Sequence, residues 1–105
     1  MEAIPREILI CRDENDKEPF REWLYRLDEK TQAIVMKRID RLEDGNFGDV
    51  EPVGEGVSEL IIDFGPGYRV YFGQKGNVVH LITGGSKRGQ QANIDFAKEF
   101  WEDHE

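Results

Sequence analysis

The chain has 105 residues and a mass of 12.2 kDa, enough for one domain with a single hydrophobic core and too little for a multidomain enzyme. Hydrophobic residues at 38% and charged residues at 34% describe a globular composition rather than a disordered one. Against 14 Lys and Arg stand 22 Asp and Glu, and a net charge of −8 argues, for the molecule taken as a whole, against nucleic acid or an anionic membrane as partner.

In chain order, Ile4, Ile8 and Ile10 alternate with other residues and predict a first strand reaching about Cys11. The period then changes. Phe20, Trp23, Leu24 and Leu27 fall at i, i+3, i+4 and i+7, the apolar stripe of a helix, with Asp16 as the expected N-cap and Pro19 accommodated in the first turn. After a break at Asp28 to Lys30, Val35, Ile39 and Leu42 mark a second helix, flanked by Met36, that Gly45 can end. The two helices are expected to form an antiparallel hairpin. From Asn46 to Gly56, three glycines and a proline interrupt any period and predict a shaped loop.

Strands resume with Leu60, Ile62 and Phe64 on one face, a turn at Gly65-Pro66-Gly67, and Tyr68, Val70 and Phe72 facing the core from the next strand. A turn at Lys75-Gly76-Asn77 leads to a third strand from Val78 to Thr83, which Gly84 and Gly85 should end, with Ser86 as a possible cap. Ile94, Ala97 and Trp101, widened by Phe96 and Phe100, predict a final helix. The expected class is α+β: an N-terminal strand and helical hairpin packed on an antiparallel sheet, with a C-terminal helix, in one domain over residues 1–105.

No run approaches the ~18 apolar residues of a membrane span, and the start, Met-Glu-Ala-Ile-Pro-Arg-Glu, lacks the core of a signal peptide, so a cytoplasmic protein is expected. The single cysteine, Cys11, reads as a small apolar residue, and His80 and His104 stand at no metal-ligand spacing; neither metal nor cofactor is expected.

Charge is unevenly spread. Between Phe64 and Ile94 there is no carboxylate, while Arg69, Lys75, Lys87, Arg88 and His80 all lie there, so the mean conceals a basic window inside an acidic remainder. If Tyr68, Val70 and Phe72 face the core, Arg69 and Tyr71 share the opposite face. A guanidinium can grip phosphate with two hydrogen bonds, a phenol can stack on a base or move a proton, and Lys87 supplies a second point charge. The alternative is an arginine paired with a surface carboxylate and a tyrosine half-buried beneath a helix. His80 could be an accessory acid or base or a packed structural residue.

The segment Arg41 to Leu60 with its Gly-Asn-Phe-Gly-Asp block, then Gly65-Pro-Gly-Tyr-Arg-Val-Tyr-Phe72 and Leu81-Ile-Thr-Gly-Gly-Ser-Lys87 with Gln90-Gln91, resembles the addiction-module killer proteins, HigB-like members of the RelE/ParE toxin superfamily. The resemblance implies an α+β toxin of a type II toxin–antitoxin system, in many relatives a ribosome-dependent endoribonuclease that cuts mRNA and so inhibits translation. By the same resemblance Arg69 matches the phosphate-contacting arginine and Lys87 the late basic position, with Tyr71 added from strand parity as the third catalytic candidate. Arg88, Lys75 and His80 are candidate substrate-binding groups. The expected partners are a cognate antitoxin of helix-turn-helix type, the ribosome and mRNA, with DNA met only through the antitoxin and no membrane.

Three features depart from the pattern, one being that no tyrosine follows Lys87, where Gln90 and Gln91 stand instead. Ile61 stands where relatives commonly carry a basic residue and Asp63 where they carry His or another polar residue, and an Asp63 carboxylate on the face of Arg69 could pair with it and compete with phosphate. Two other readings therefore remain: a ParE-like protein inhibitor of DNA gyrase, and a catalytically degenerate antitoxin-binding module. The acidic remainder implies that affinity for free RNA is weak and salt-dependent.

Overall fold

A computed structural model describes residues 4–104; the first three residues of the start read above for a signal sequence lie outside the described part. Five strands form one sheet in the order β1-β5-β4-β3-β2. These are β1 (Glu7–Ile10), β2 (Val50–Gly54), β3 (Val57–Ile62), β4 (Tyr68–Lys75) and β5 (Val78–Ser86). Strand β1 runs parallel to β5, and the remaining pairs are antiparallel. Helices α1 (Pro19–Tyr25) and α2 (Glu29–Glu43) precede β2, and a 3₁₀ turn at Lys87–Gly89 leads into α3 (Gln90–His104). The expected α+β class and C-terminal helix are those of the structure.

Period-2 alternation sorts the side chains onto two cores. Val70 and Phe72 join Leu60, Ile62, Val79 and Leu81 beneath α1 and α2, where Phe20, Trp23, Leu24, Val35, Ile39 and Leu42 close the larger cluster. Tyr71, Val57 and Ile82 lie in the second cluster, with Ile94, Ala97, Phe100 and Trp101 of α3. The sheet is therefore covered by helix on both faces.

Four local expectations are corrected. Helix α1 begins after Glu18, which makes no side-chain cap, and Asp16 instead sits in a turn at φ 63° with its carboxylate on Arg12. The stretch from Asn46 to Gly56 is not all loop, because Val50–Gly54 pairs with β3 as an edge strand. An edge tolerates Pro52, whose missing N–H breaks no ladder on its outer side, and the pairing slips between Pro52 and Gly54.

Gly84 and Gly85 do not end β5 but continue it to Ser86. A bulge between Tyr71 and Phe72 on the β4–β5 ladder turns Gly84 toward α1 and Gly85 toward α3, and a Cβ on either would run into Trp23 or Asn93. Glycine is there for close packing. Ser86 makes no capping bond to the turn that follows.

The helix boundary at Asp28 is sharper than periodicity implies: its carboxylate accepts the Thr31 N–H at 2.8 Å, and α2 starts at Glu29. At the other end Gly45, at φ 88°, carries the chain out of α2. Among the described residues no helix is long and apolar enough to cross a membrane, and no cluster of His, Cys, Asp or Glu could hold a metal ion.

Candidate functional site

Arg69 lies on β4 opposite Ile61 of β3 and Gly85 of β5. Its Nε donates to Glu59 Oε1 at 2.6 Å and its Nη1 to the Gly67 carbonyl at 2.7 Å. The Glu59 carboxylate also accepts two hydrogen bonds from Gln90 Nε2, at 2.9 and 3.2 Å, which ties the first residue of α3 to the same ion pair. Glu59 is 2% and Arg69 9% exposed. Removing either partner of a pair so furnished would strand a charge out of water.

The carboxylate that meets Arg69 is thus Glu59 and not Asp63. The ladder explains the choice. Glu59 pairs with Tyr71 and Ile61 with Arg69, so Glu59 is the diagonal neighbour of Arg69, within reach of two long side chains. Asp63 follows the last residue of β3, off the ladder and exposed.

The Gly67 carbonyl accepts a second hydrogen bond, from the Lys87 backbone N–H at 2.9 Å. Through that oxygen the β3–β4 turn, Arg69 and the 3₁₀ turn are bound together, leaving the Lys87 and Arg88 side chains exposed beside them. Helix α3 starts here as well, and its N-terminus adds positive potential to the same end of the sheet. The result is a cationic pole with one oriented guanidinium and two exposed cations, suited to holding an anion such as a phosphodiester.

The other candidates lie elsewhere. Tyr71 shares the face of Arg69, as parity required, but α3 covers that face and leaves Tyr71 0% exposed, with its hydroxyl unpartnered. Burial, and secondarily the Glu59 carboxylate, pushes its phenol up to about 12, with Arg69 opposing. It offers no ring for base stacking in this arrangement and no accessible proton. The alternative of a tyrosine beneath a helix describes it better, carried further to full burial.

Lys75 is six residues along β4 from Arg69, about 20 Å away at strand rise. Its ammonium lies 5.0 Å from the Trp101 ring centroid and 3.4 Å from the His104 carbonyl. The His80 ring is 5.3 Å from that of Trp101, and burial, then Lys75, holds its imidazole below the usual value against the pull of Glu7. The six residues therefore divide: Arg69, Lys87 and Arg88 at one end of the sheet, Lys75 and His80 at the other, Tyr71 sealed between.

Sequence reasoning passed over Glu59 and met Gln90 only within the resemblance, not as a partner of the Glu59–Arg69 pair. The signal available was parity, since Glu59 alternates with Ile61 onto the face of Arg69. It also passed over a cleft of about 660 Å³ near the end of β3, where Arg38 and Arg41 face Ile61 and Asp63. Arg38 donates to the Phe47 carbonyl at 3.3 Å, and burial, then Arg41, holds its guanidinium below the ordinary value against Asp49.

Over 81 residues the chain is 46% identical to an uncharacterized protein of Haemophilus influenzae, an alignment covering 75% of this chain and 82% of that protein. The chain belongs to the same family as that protein. No protein-family model matches the sequence, and no solved structure matches it.

Proposed function

We propose that the protein is a cytoplasmic toxin of a type II toxin–antitoxin system, HigB-like within the RelE/ParE superfamily, that uses its cationic pole to cut mRNA on the ribosome. The observation that supports this reading is the Gly67 carbonyl, which gathers Arg69 and Lys87 into one pole where the acid-free stretch of sequence closes on itself. In such a reaction the RNA 2′-hydroxyl loses its proton and attacks the adjacent phosphorus, the P–O5′ bond breaks and the 5′-oxygen leaves with a proton, while the protein stabilises charge building on the non-bridging oxygens. Arg69 would act through Nη2, since Nε and Nη1 are engaged by Glu59 and Gly67. Lys87 and Arg88 would bind the flanking phosphates.

With Tyr71 sealed, proton transfer would fall to the RNA, water or the ribosome. The acidic remainder makes binding to free RNA weak, so the ribosome would hold the message in place. A helix-turn-helix antitoxin encoded beside the toxin would neutralise it and supply any DNA contact.

The ion pair itself favours a second reading. Glu59 neutralises Arg69 in the ground state, as expected of a degenerate module that only binds its antitoxin. Induced expression separates the two. Growth arrest with cut transcripts, abolished by Lys87→Ala with Arg88→Ala and by Arg69→Ala in folded protein, supports the nuclease. Arrest with intact transcripts and DNA damage points to gyrase and refutes it, and no arrest in cells lacking the antitoxin leaves the binding module.

A further inference from the structure

At the far end of α3 from the cationic pole, the helix and the loop after β1 enclose a groove of about 630 Å³. Its apolar floor is Phe96, 44% exposed although it is a large aromatic, and the edge of Phe100, 7% exposed. Around that floor stand four carboxylates, Asp13 and Glu14 from the loop and Glu99 and Asp103 from α3. We propose that this groove is a docking site for a cationic, amphipathic segment of a partner protein: a large apolar side chain seated on Phe96 and Phe100, flanked by Lys or Arg facing the four carboxylates.

Charge complementarity selects the occupant. Among the described residues, Glu14, Glu99 and Asp103 form no ion pair. Asp13 accepts the N–H groups of Asn15 and Lys17, which fixes the loop while its charge stays in the groove. Arg12 pairs with Asp16 and Glu18 at 3.1 and 3.5 Å, and Lys75 lies over Trp101.

The fifth polar group is His104. Its ring stacks on Phe100 at 3.9 Å between centroids, and its Nδ1 lies 2.7 Å from the Phe100 carbonyl, so it forms a wall of the groove. The C-terminus of α3 adds negative potential to the same end. A groove so charged repels RNA and acidic segments, speeds encounter with a basic one, and leaves an exposed aromatic anchor at the centre of the contact. None of its residues belongs to the cationic pole, so the inference stands apart from the toxin reading.

The probe is a short fluorescein-labelled peptide of alternating lysine and leucine, titrated into the intact chain by fluorescence anisotropy and by amide NMR. Expected are amide shifts confined to the segment around Asp13 and Glu14 and to the second half of α3. Affinity should fall roughly tenfold or more for Phe96→Ser, for Glu99→Gln with Asp103→Asn, and for a lysine–serine peptide of equal charge. Phe96 and both carboxylates are exposed, and circular dichroism confirms folding of each variant. Equal binding of the lysine–serine peptide, shifts spread over other acidic surfaces, or insensitivity to both variants would overturn the proposal. So would head-to-tail self-association in sedimentation velocity that Lys87→Ala with Arg88→Ala abolishes, since the occupant would then be a second copy.

Discussion

Replacing Tyr71 by phenylalanine tests most directly how the structure revises the sequence. The phenol is fully buried between the sheet and α3, and among the described residues its hydroxyl has no hydrogen-bond partner. An unsatisfied buried hydroxyl costs about 1–3 kcal/mol, while the void left by one oxygen costs less than about 1 kcal/mol. Tyr71→Phe should therefore stabilise the fold by about 1 kcal/mol, raising the midpoint of thermal unfolding by ~4–8 °C for a domain of this size. Urea denaturation gives the free energy, and an unchanged slope shows that the native state has not loosened. Alkaline titration at the tyrosinate absorbance gives a second readout. Of the three tyrosines, one should ionise late, near 12, and Tyr71→Phe should remove that step. Under the proposed toxin function, the variant should arrest growth on induced expression as the wild type does. A loss of more than about 1 kcal/mol would mean the hydroxyl has a partner, and lost toxicity with intact stability would return Tyr71 to the chemistry.

Glu59→Ala leaves Arg69 buried without its carboxylate and should cost about 3–5 kcal/mol, read by urea denaturation, with Glu59→Gln less harmful because it can still accept from Arg69. Gly84→Ala drives a methyl into the Trp23 ring and should destabilise by about 1–3 kcal/mol while quenching or shifting Trp fluorescence; a neutral result would mean that α1 is not seated on β5 as described. Burial and Lys75 keep the folded His80 imidazole below its ordinary value of 6.5, so the unfolded chain takes up that proton first as pH falls. Its contribution is complete above that value and declines below it until the folded group also protonates. His80→Gln should flatten that part of the pH–stability curve, and an unchanged curve would refute the assignment.

A single helix divides the charge of this molecule. Lys87 and Arg88 lie just before the N-terminus of α3, while Glu99 and Asp103 stand in its last turns, so side-chain charge and helix dipole have the same sense at both ends. The net charge of −8 is therefore a poor guide to either pole. An anion would be met at one end and a basic partner at the other.

Local pattern was enough for much of this. Alternation in Tyr68–Phe72 assigned each side chain to its correct face, the i, i+3, i+4 stripe located α1, α2 and α3, and Gly45 marked the end of α2. These features are periodic and depend on neighbours a few residues away. The same chain could not announce that Val50–Gly54 pairs as an edge strand, since its composition is that of a loop and only β3 supplies the missing partner. Nor could it show that Gly84 and Gly85 continue a strand, because what requires glycine there is Trp23, 61 positions from Gly84, and Asn93. The candidate site divides in the same way. Arg69 and Lys87 are legible as cations in a carboxylate-free stretch, whereas the burial of Arg69 against Glu59 and of Tyr71 beneath α3 comes from a diagonal cross-strand contact and a helix docked from the end of the chain. Within β4 sequence parity determines which face a residue takes, along β5 the bulge resets it, and tertiary packing decides if that face meets water.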